Sequence, residues 1–272
     1  MPIFTQNEIN LHTHSFYCGH GTGTLKDYIA EAFKNPQLKV LGFSEHCQTP
    51  DEFYADRMRY DVFEDYVEDA FSLKNTEGLT VLCGAECDWN PSYTAYYRYL
   101  KERMGLDYIL GSVHYYRDRE SGRLRYYGKC LDVTPYLSDY VSEYTAMLRS
   151  GLFLIGCHPD LYCYHTEWNS LLEEAAREII STAKETGMIL EINGCGFQKK
   201  HIREDGSTRH PYPVPEFWKI VREEGVRCCI NSDAHHPAHL ISHPAFAFAS
   251  ENGLEDLLVK WEISDEGIRA VL

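Results

Sequence analysis

The residues with most chemistry in them stand near the start of the chain, in Ile9-Asn10-Leu11-His12-Thr13-His14, with His20 following in Cys18-Gly19-His20. Ile9 and Leu11 alternate with polar neighbours as a short strand does, so His12 and His14, two apart, leave its C-terminal end on one side. Two imidazoles placed this way can grip one metal ion, and histidine is the commonest metal-binding side chain. A single buried histidine is more often a hydrogen-bonded core residue, so the trio needs further donors to mean a site.

Those donors sit on elements of a regular kind. Apolar, strand-like runs cover residues 9–14, 39–44, 79–85, 108–113, 153–157, 188–193 and 226–231. Between them the apolar spacing predicts helices at 25–33 (Thr24 as N-cap), 62–71, 91–104, 134–149, 172–183 and 217–224, and two weaker helical segments beyond Ala238. Residues 51–60 read as a loop over the site, 117–129 as a loop or hairpin, and 194–215 as a long basic loop. Strands separated by connections of this length, roughly 20 to 40 residues, are joined by parallel crossovers.

Six of the seven strands deliver a histidine or carboxylate at or just after the C-terminal end: His12 and His14, Glu45-His46, Glu86, His114, His158-Pro159-Asp160, and Asp233-Ala234-His235. In a parallel barrel these ends share one face, where such residues converge. Scattered core histidines would not keep to one end of the strands. Glu86, directly after an apolar strand, is costly there without a cation or donor beside it. The pattern predicts a multinuclear metal site within a single domain spanning 1–272, since no linker or repeat divides the chain. His165, His201, His210, His236, His239 and His243 fall outside it and read as loop or surface residues.

Composition narrows the partners. A net charge of -15 over 272 residues, with no run of Lys or Arg, argues against nucleic acid. Neither a signal peptide nor a stretch of 18 apolar residues is present, which predicts a cytoplasmic protein without a membrane span. The ten cysteines form no CxxC pair and mostly lie in apolar runs, so they read as reduced, buried thiols. Cys18, Cys47, Cys87 and Cys195 stand close enough to the motifs to be candidate extra ligands.

Taken in order, Leu11-His12-Thr13-His14 with His20, Glu45-His46, Glu86, Gly111-Ser112-Val113-His114, His158 with Asp160, and Ser232-Asp233-Ala234-His235 resemble the motifs of the polymerase and histidinol phosphatase (PHP) family. The likeness runs from residue 9 to about 237 and is strongest to the histidinol-phosphate phosphatases of that family. It implies a distorted (β/α)7 barrel and three divalent metal ions, zinc, manganese or iron. Carried over, it places His12, His14, Glu86 and Asp233 on one ion, His20, His46 and His235 on a second, and Glu86, His114 and His158 on a third, with Glu86 bridging.

The implied reaction is hydrolysis of a phosphate monoester, L-histidinol phosphate first, by a hydroxide bridging two of the ions. Glu86, Asp233 and His235 become the catalytic candidates, with His235 a candidate helper of the leaving group. Asp160 is a candidate for orienting a ligand histidine. Some histidinol phosphatases place phosphate-holding arginines shortly after the fifth- and sixth-strand motifs, where this chain reads Leu161-Tyr162-Cys163-Tyr164-His165 and Gly194-Cys195-Gly196-Phe197. Arg117, Lys199 and Arg209 are the replacements by position, with Lys200 and Arg203 as further loop cations. Competing readings are a phosphoesterase for a nucleotide or sugar phosphate, a nuclease, and a non-catalytic metal-binding protein. The oligomeric state is not legible.

Overall fold

The computed structural model describes residues 1–54, 57–203, 205–264 and 267–271. Seven parallel strands make the central sheet: β1 (Ile9–Asn10), β2 (Val40–Phe43), β3 (Thr80–Asp88), β4 (Tyr108–Ser112), β5 (Ile155–Gly156), β6 (Ile189–Asn193) and β7 (Cys228–Asn231). Neighbours in space are neighbours in sequence, from β7 round to β1, and every pairing is parallel, as in Asn231 against Asn193 and Phe43 against Cys83. The two edges meet just beyond their ends, where Thr13 bridges Ala234 and His14 N donates to Ala234 O at 2.8 Å. The sheet is thereby a nearly closed barrel of the (β/α)7 kind.

Seven helices accompany the strands: α1 (Leu25–Ala32), α2 (Tyr60–Ser72), α3 (Thr94–Glu102), α4 (Leu137–Arg149), α5 (Ser170–Thr186), α6 (Pro215–Glu224) and α7 (His243–Glu251). Their ends follow local chemistry. Thr24 and Asp27 form a reciprocal capping box on α1, and α5 starts at Asn169, whose side chain accepts from Leu171 N and Leu172 N, and stops at Gly187 in the left-handed region. The expected excursion at 117–129 is a hairpin pairing Tyr115–Arg117 with Leu124–Tyr126.

Beyond Ala238 the two expected helical segments are α7 and a 3-10 turn at Glu255–Leu257, but two strands that were not expected follow them. Lys260–Ser264 and Gly267–Val271 pair with each other, and the first of these pairs with Ile3–Phe4. This small antiparallel sheet seals the N-terminal end of the barrel. Val259 N donates to Cys228 O at 3.0 Å, and Trp261 packs with Val40, Leu82, Leu110, Ile155 and Ile189.

Inside the barrel Tyr108 spans from β4 past β3 and β2 to β1, where its hydroxyl donates to Leu11 O at 2.7 Å. The ring passes only because Gly84 and Gly42 have no side chain: a Cβ would stand 2.5 Å and 2.2 Å from its atoms. All ten cysteines are free and buried. No helix among the described residues is long and apolar enough to cross a membrane.

Candidate active site

The C-terminal ends of the strands gather all nine histidines and carboxylates singled out by the sequence. Glu86 stands at the centre. Its Oε2 lies 2.8 Å from His46 Nδ1 and 3.5 Å from both His12 Nε2 and His14 Nε2, while Oε1 lies 2.9 Å from His158 Nε2 and 3.5 Å from His114 Nε2. Asp233 Oδ1 lies 3.2 Å from His14 Nε2 and 3.7 Å from His12 Nε2. His20 and His235 meet through their Nε2 atoms at 3.0 Å, and His14, His46 and His235 bring ligand atoms within 4.8 Å of one another.

Whether these groups suit divalent ions can be judged from the geometry. Donors sharing one tetrahedral ion at ordinary bond lengths stand about 3.3 Å apart, which is the spacing among His12, His14, Glu86 and Asp233. Among the buried side-chain atoms left without a hydrogen-bond partner, His46 Nδ1, Glu86 Oε2 and Asp233 Oδ1 face the centre of the set, a costly state for a group that nothing coordinates. His158 (φ 29°) and Asp233 (φ 47°) also hold the left-handed backbone region that non-glycine residues avoid, strain of the kind kept at functional sites. The donor set fits divalent cations.

The electrostatics agree. Burial alone would neutralise Glu86 and Asp233, yet the surrounding histidines hold both well below the usual carboxylate range, so both are ionised. Burial lowers His46 well below its ordinary value, His14 to about 3 and His20 to about 4, leaving neutral rings with a free lone pair. His12 and His158 are the exceptions: burial pushes both down, but Glu191, Asp233 and Glu86 outweigh that and raise them. The carboxylates demand positive charge at this point.

Two supporting acids were missed by sequence reasoning. Glu191 Oε1 lies 2.8 Å from His12 Nδ1 and accepts from Asn231 Nδ2 at 2.9 Å, while Oε2 accepts from His158 N and Asn193 Nδ2. Asp88 Oδ1 lies 2.7 Å from His114 Nδ1. Each fixes which ring nitrogen faces inward. A signal existed in both cases: Glu191 interrupts the apolar run of β6, and Asp88 follows Glu86 by two on β3, hence on the same face. Arg57, paired with Asp88, had no such signal in its aperiodic loop.

Asp160 is a correction. Its Oδ2 accepts from Val214 N at 2.7 Å and Trp218 Nε1 at 3.1 Å, so it ties the start of α6 to the end of β5 and orients no histidine. Arg117 and Arg209 are corrections too. Arg117 donates to Gly122 O within its own hairpin, and Arg209 is spent on the carbonyls of Cys163, Thr166, His210 and Pro211 and on Glu167. Neither lines the cleft; Lys199 does. Among the cysteines, Cys18 stands with His20 and His235, and Cys157, read from sequence as a reduced, buried thiol, stands with His12 and Glu86.

The cleft over the histidines has a volume of ≈ 790 Å³. A larger groove, ≈ 950 Å³, runs along α4 and α5, but its lining holds no histidine and no converging donors, so the chemistry belongs to the smaller space.

A model of the PHP domain matches residues 10–194. The chain belongs to the PHP domain family. It is 27% identical to a Deinococcus radiodurans protein named "Probable histidinol-phosphatase", covering 96% of this chain and 94% of that one. It is 24% identical to a Caldicellulosiruptor saccharolyticus protein named "Probable phosphatase", over 84% of this chain and 80% of that one. The fold is similar, at a TM-score of 0.68 and 14% identity, to a histidinol phosphate phosphatase from Lactococcus lactis solved with zinc, L-histidinol and phosphate; 96% of this chain and 98% of that chain are covered.

Proposed function

We propose that the protein is a metal-dependent phosphomonoesterase that converts L-histidinol phosphate and water to L-histidinol and phosphate. The observation that carries this reading is the convergence of five histidines on the two oxygens of Glu86, with Asp233 closing the set. Similarity to the Deinococcus and Lactococcus proteins supports the substrate.

The nine residues would hold three divalent ions in the grouping the resemblance implies: His12, His14, Glu86 and Asp233; His20, His46 and His235; and Glu86, His114 and His158. Such ions supply a water acidic enough to be a nucleophile near neutral pH and neutralise phosphoryl oxygens. The protein's part is to keep Glu86 and Asp233 ionised, most of the rings neutral, and His12 and His114 turned by Glu191 and Asp88. Asp233 and His235 lie on the open side of the set, lining the cleft through which a small ester and its attacking water arrive. One domain carries all of this.

A second reading is a phosphate ester whose organic part is not cationic. It is favoured by the cleft lining, in which Asp233 is the only carboxylate among the described residues, leaving nothing spare to meet an ammonium group. Phosphate release from histidinol phosphate and a panel of sugar and nucleotide esters, with metal-stripped protein reloaded with zinc, manganese or iron, separates the two. Preference for histidinol phosphate, abolished by His14→Ala, is expected. Equal or better turnover of another ester would replace the substrate, and no turnover at full metal content would end the phosphatase reading.

A further inference from the structure

The lining of the cleft is richer in cations than in acids, the reverse of the whole chain. Against a net -15, the described side chains lining it include Arg57, Lys129 and Lys199, with Asp233 as the one carboxylate. Two of these cations, Arg57 with a buried side chain and Lys199 half-buried, are held from separate loops.

Arg57 comes from the loop after β2. Its Nε and Nη2 both donate to Asp88 Oδ2, at 3.1 Å and 2.8 Å, and its guanidinium carbon lies 5.1 Å from the centre of the Tyr115 ring. The side chain is only 5% exposed. A guanidinium has five N–H donors in a planar fork. One edge is committed to Asp88, and no described residue accepts from Nη1.

Lys199 comes from the loop after β6. Its Nζ donates to Tyr212 OH at 2.8 Å and lies 5.3 Å and 6.0 Å from the ring centres of Tyr212 and Tyr164. No described carboxylate is within ion-pair distance of it. A half-buried ammonium matched with phenols rather than an acid is electrostatically unfinished, and an anionic ligand completes it.

We propose that Arg57 and Lys199 together hold the phosphoryl group of the substrate, Arg57 as a rigid fork and Lys199 as a point charge, in place of Arg117 and Arg209. The pairing rests on the phosphatase reading of the site. It gives an anion two kinds of contact: directional hydrogen bonds from a guanidinium that Asp88 keeps from swinging, and a charge that aromatic rings shield from water.

The test uses inorganic phosphate as the probe. Its stabilisation of the metal-loaded protein against heat and its competitive inhibition constant are measured for Arg57→Met, Arg57→Lys and Lys199→Met, with metal content determined by elemental analysis. The expected result is a loss of phosphate affinity of about tenfold or more in each Met variant, at full metal content, seen mainly in KM, with partial recovery in Arg57→Lys. Wild-type phosphate affinity in either Met variant overturns the pair. Loss of metal in Arg57→Met would make Arg57 a prop for Asp88 and His114 and overturn its part. Phosphate bound through both residues by a protein that hydrolyses no ester would sink the functional reading and leave this one standing.

Discussion

The two ends of the barrel interior are built from the same strands and do opposite things. At the base, Leu82 of β3, Ile189 of β6 and Cys229 of β7 point into an apolar cluster capped by Trp261. Two or four residues further along, the same inward faces of β3 and β6 present Glu86 and Glu191, while Asp233 follows β7 through a left-handed turn of the backbone. Burying a large apolar side chain stabilises by about 1.5–3 kcal/mol, whereas the mouth buries ionised acids and unpaired nitrogens that each cost free energy. A strand's period of two thus feeds a site from a core without a change of geometry, and the base offsets the cost of the mouth.

Removing the hub of the mouth should give the largest effect. Glu86→Ala is expected to lower phosphatase activity by about a thousandfold, with metal content falling. The same variant, stripped of metal, should unfold at the same temperature as the stripped wild type or higher, because a buried charge has gone. A drop in that midpoint instead would mean that the mouth holds the fold together and the contrast is false.

The base answers in the other coin. Trp261→Ala is expected to cost about 3–5 kcal/mol in urea denaturation, as large-to-small changes in cores do, while kcat per folded molecule stays at the wild-type value. Reduced kcat with unchanged stability would contradict it. The next effect down compares two buried acids, Glu191 on β6 and Asp160 in the turn after β5. Glu191→Gln should weaken metal binding about 10–100-fold, because it turns His12. Asp160→Asn should keep its metal and lose about 1–3 kcal/mol of stability, because its carboxylate accepts from Val214 N and Trp218 Nε1 and from no histidine among the described residues. Exchange of these two phenotypes would reverse the assignment.

That last pair marks where the sequence could and could not be read. The strands, their order and the nine converging residues were legible because each depends on a local run: an apolar segment with a period of two, ended by His, Glu or Asp. Glu191 and Asp88 were less visible, since an acid inside a strand looks the same whether it faces a ring or a solvated groove. Asp160, beside His158, misled by nearness in sequence; its partners arrive from α6, more than fifty residues away. Arg117 and Arg209 failed for the same reason, as position along the chain does not say which carbonyl a long side chain will find. The tail strands were missed because Trp261 and its neighbours become a strand only by pairing with Ile3–Phe4 at the other terminus, a contact no local pattern announces.

The smallest effect tests whether every acid near the mouth belongs to its donor set. Glu143 of α4 lines a crevice behind His114 with Asp88 and Arg117. Burial first, then the charges of Asp139 and Asp88, push its carboxyl up from 4.5 to about 7, against a weaker opposing pull from Arg117. Between those two values the native protein binds more protons than the unfolded chain, so this residue makes stability fall as pH rises through the window, with the loss complete above about 7. Discounted for its partial exposure, the penalty at pH 8 is about 1–2 kcal/mol. Glu143→Gln should therefore stabilise the protein at pH 8 relative to wild type and give no such gain near pH 4.5, as urea denaturation at the two pH values would record. A gain of equal size at both would show that the effect is one of packing and not of charge, and would leave Glu86, Asp233, Asp88 and Glu191 as the acids at the mouth whose ionisation the fold bears.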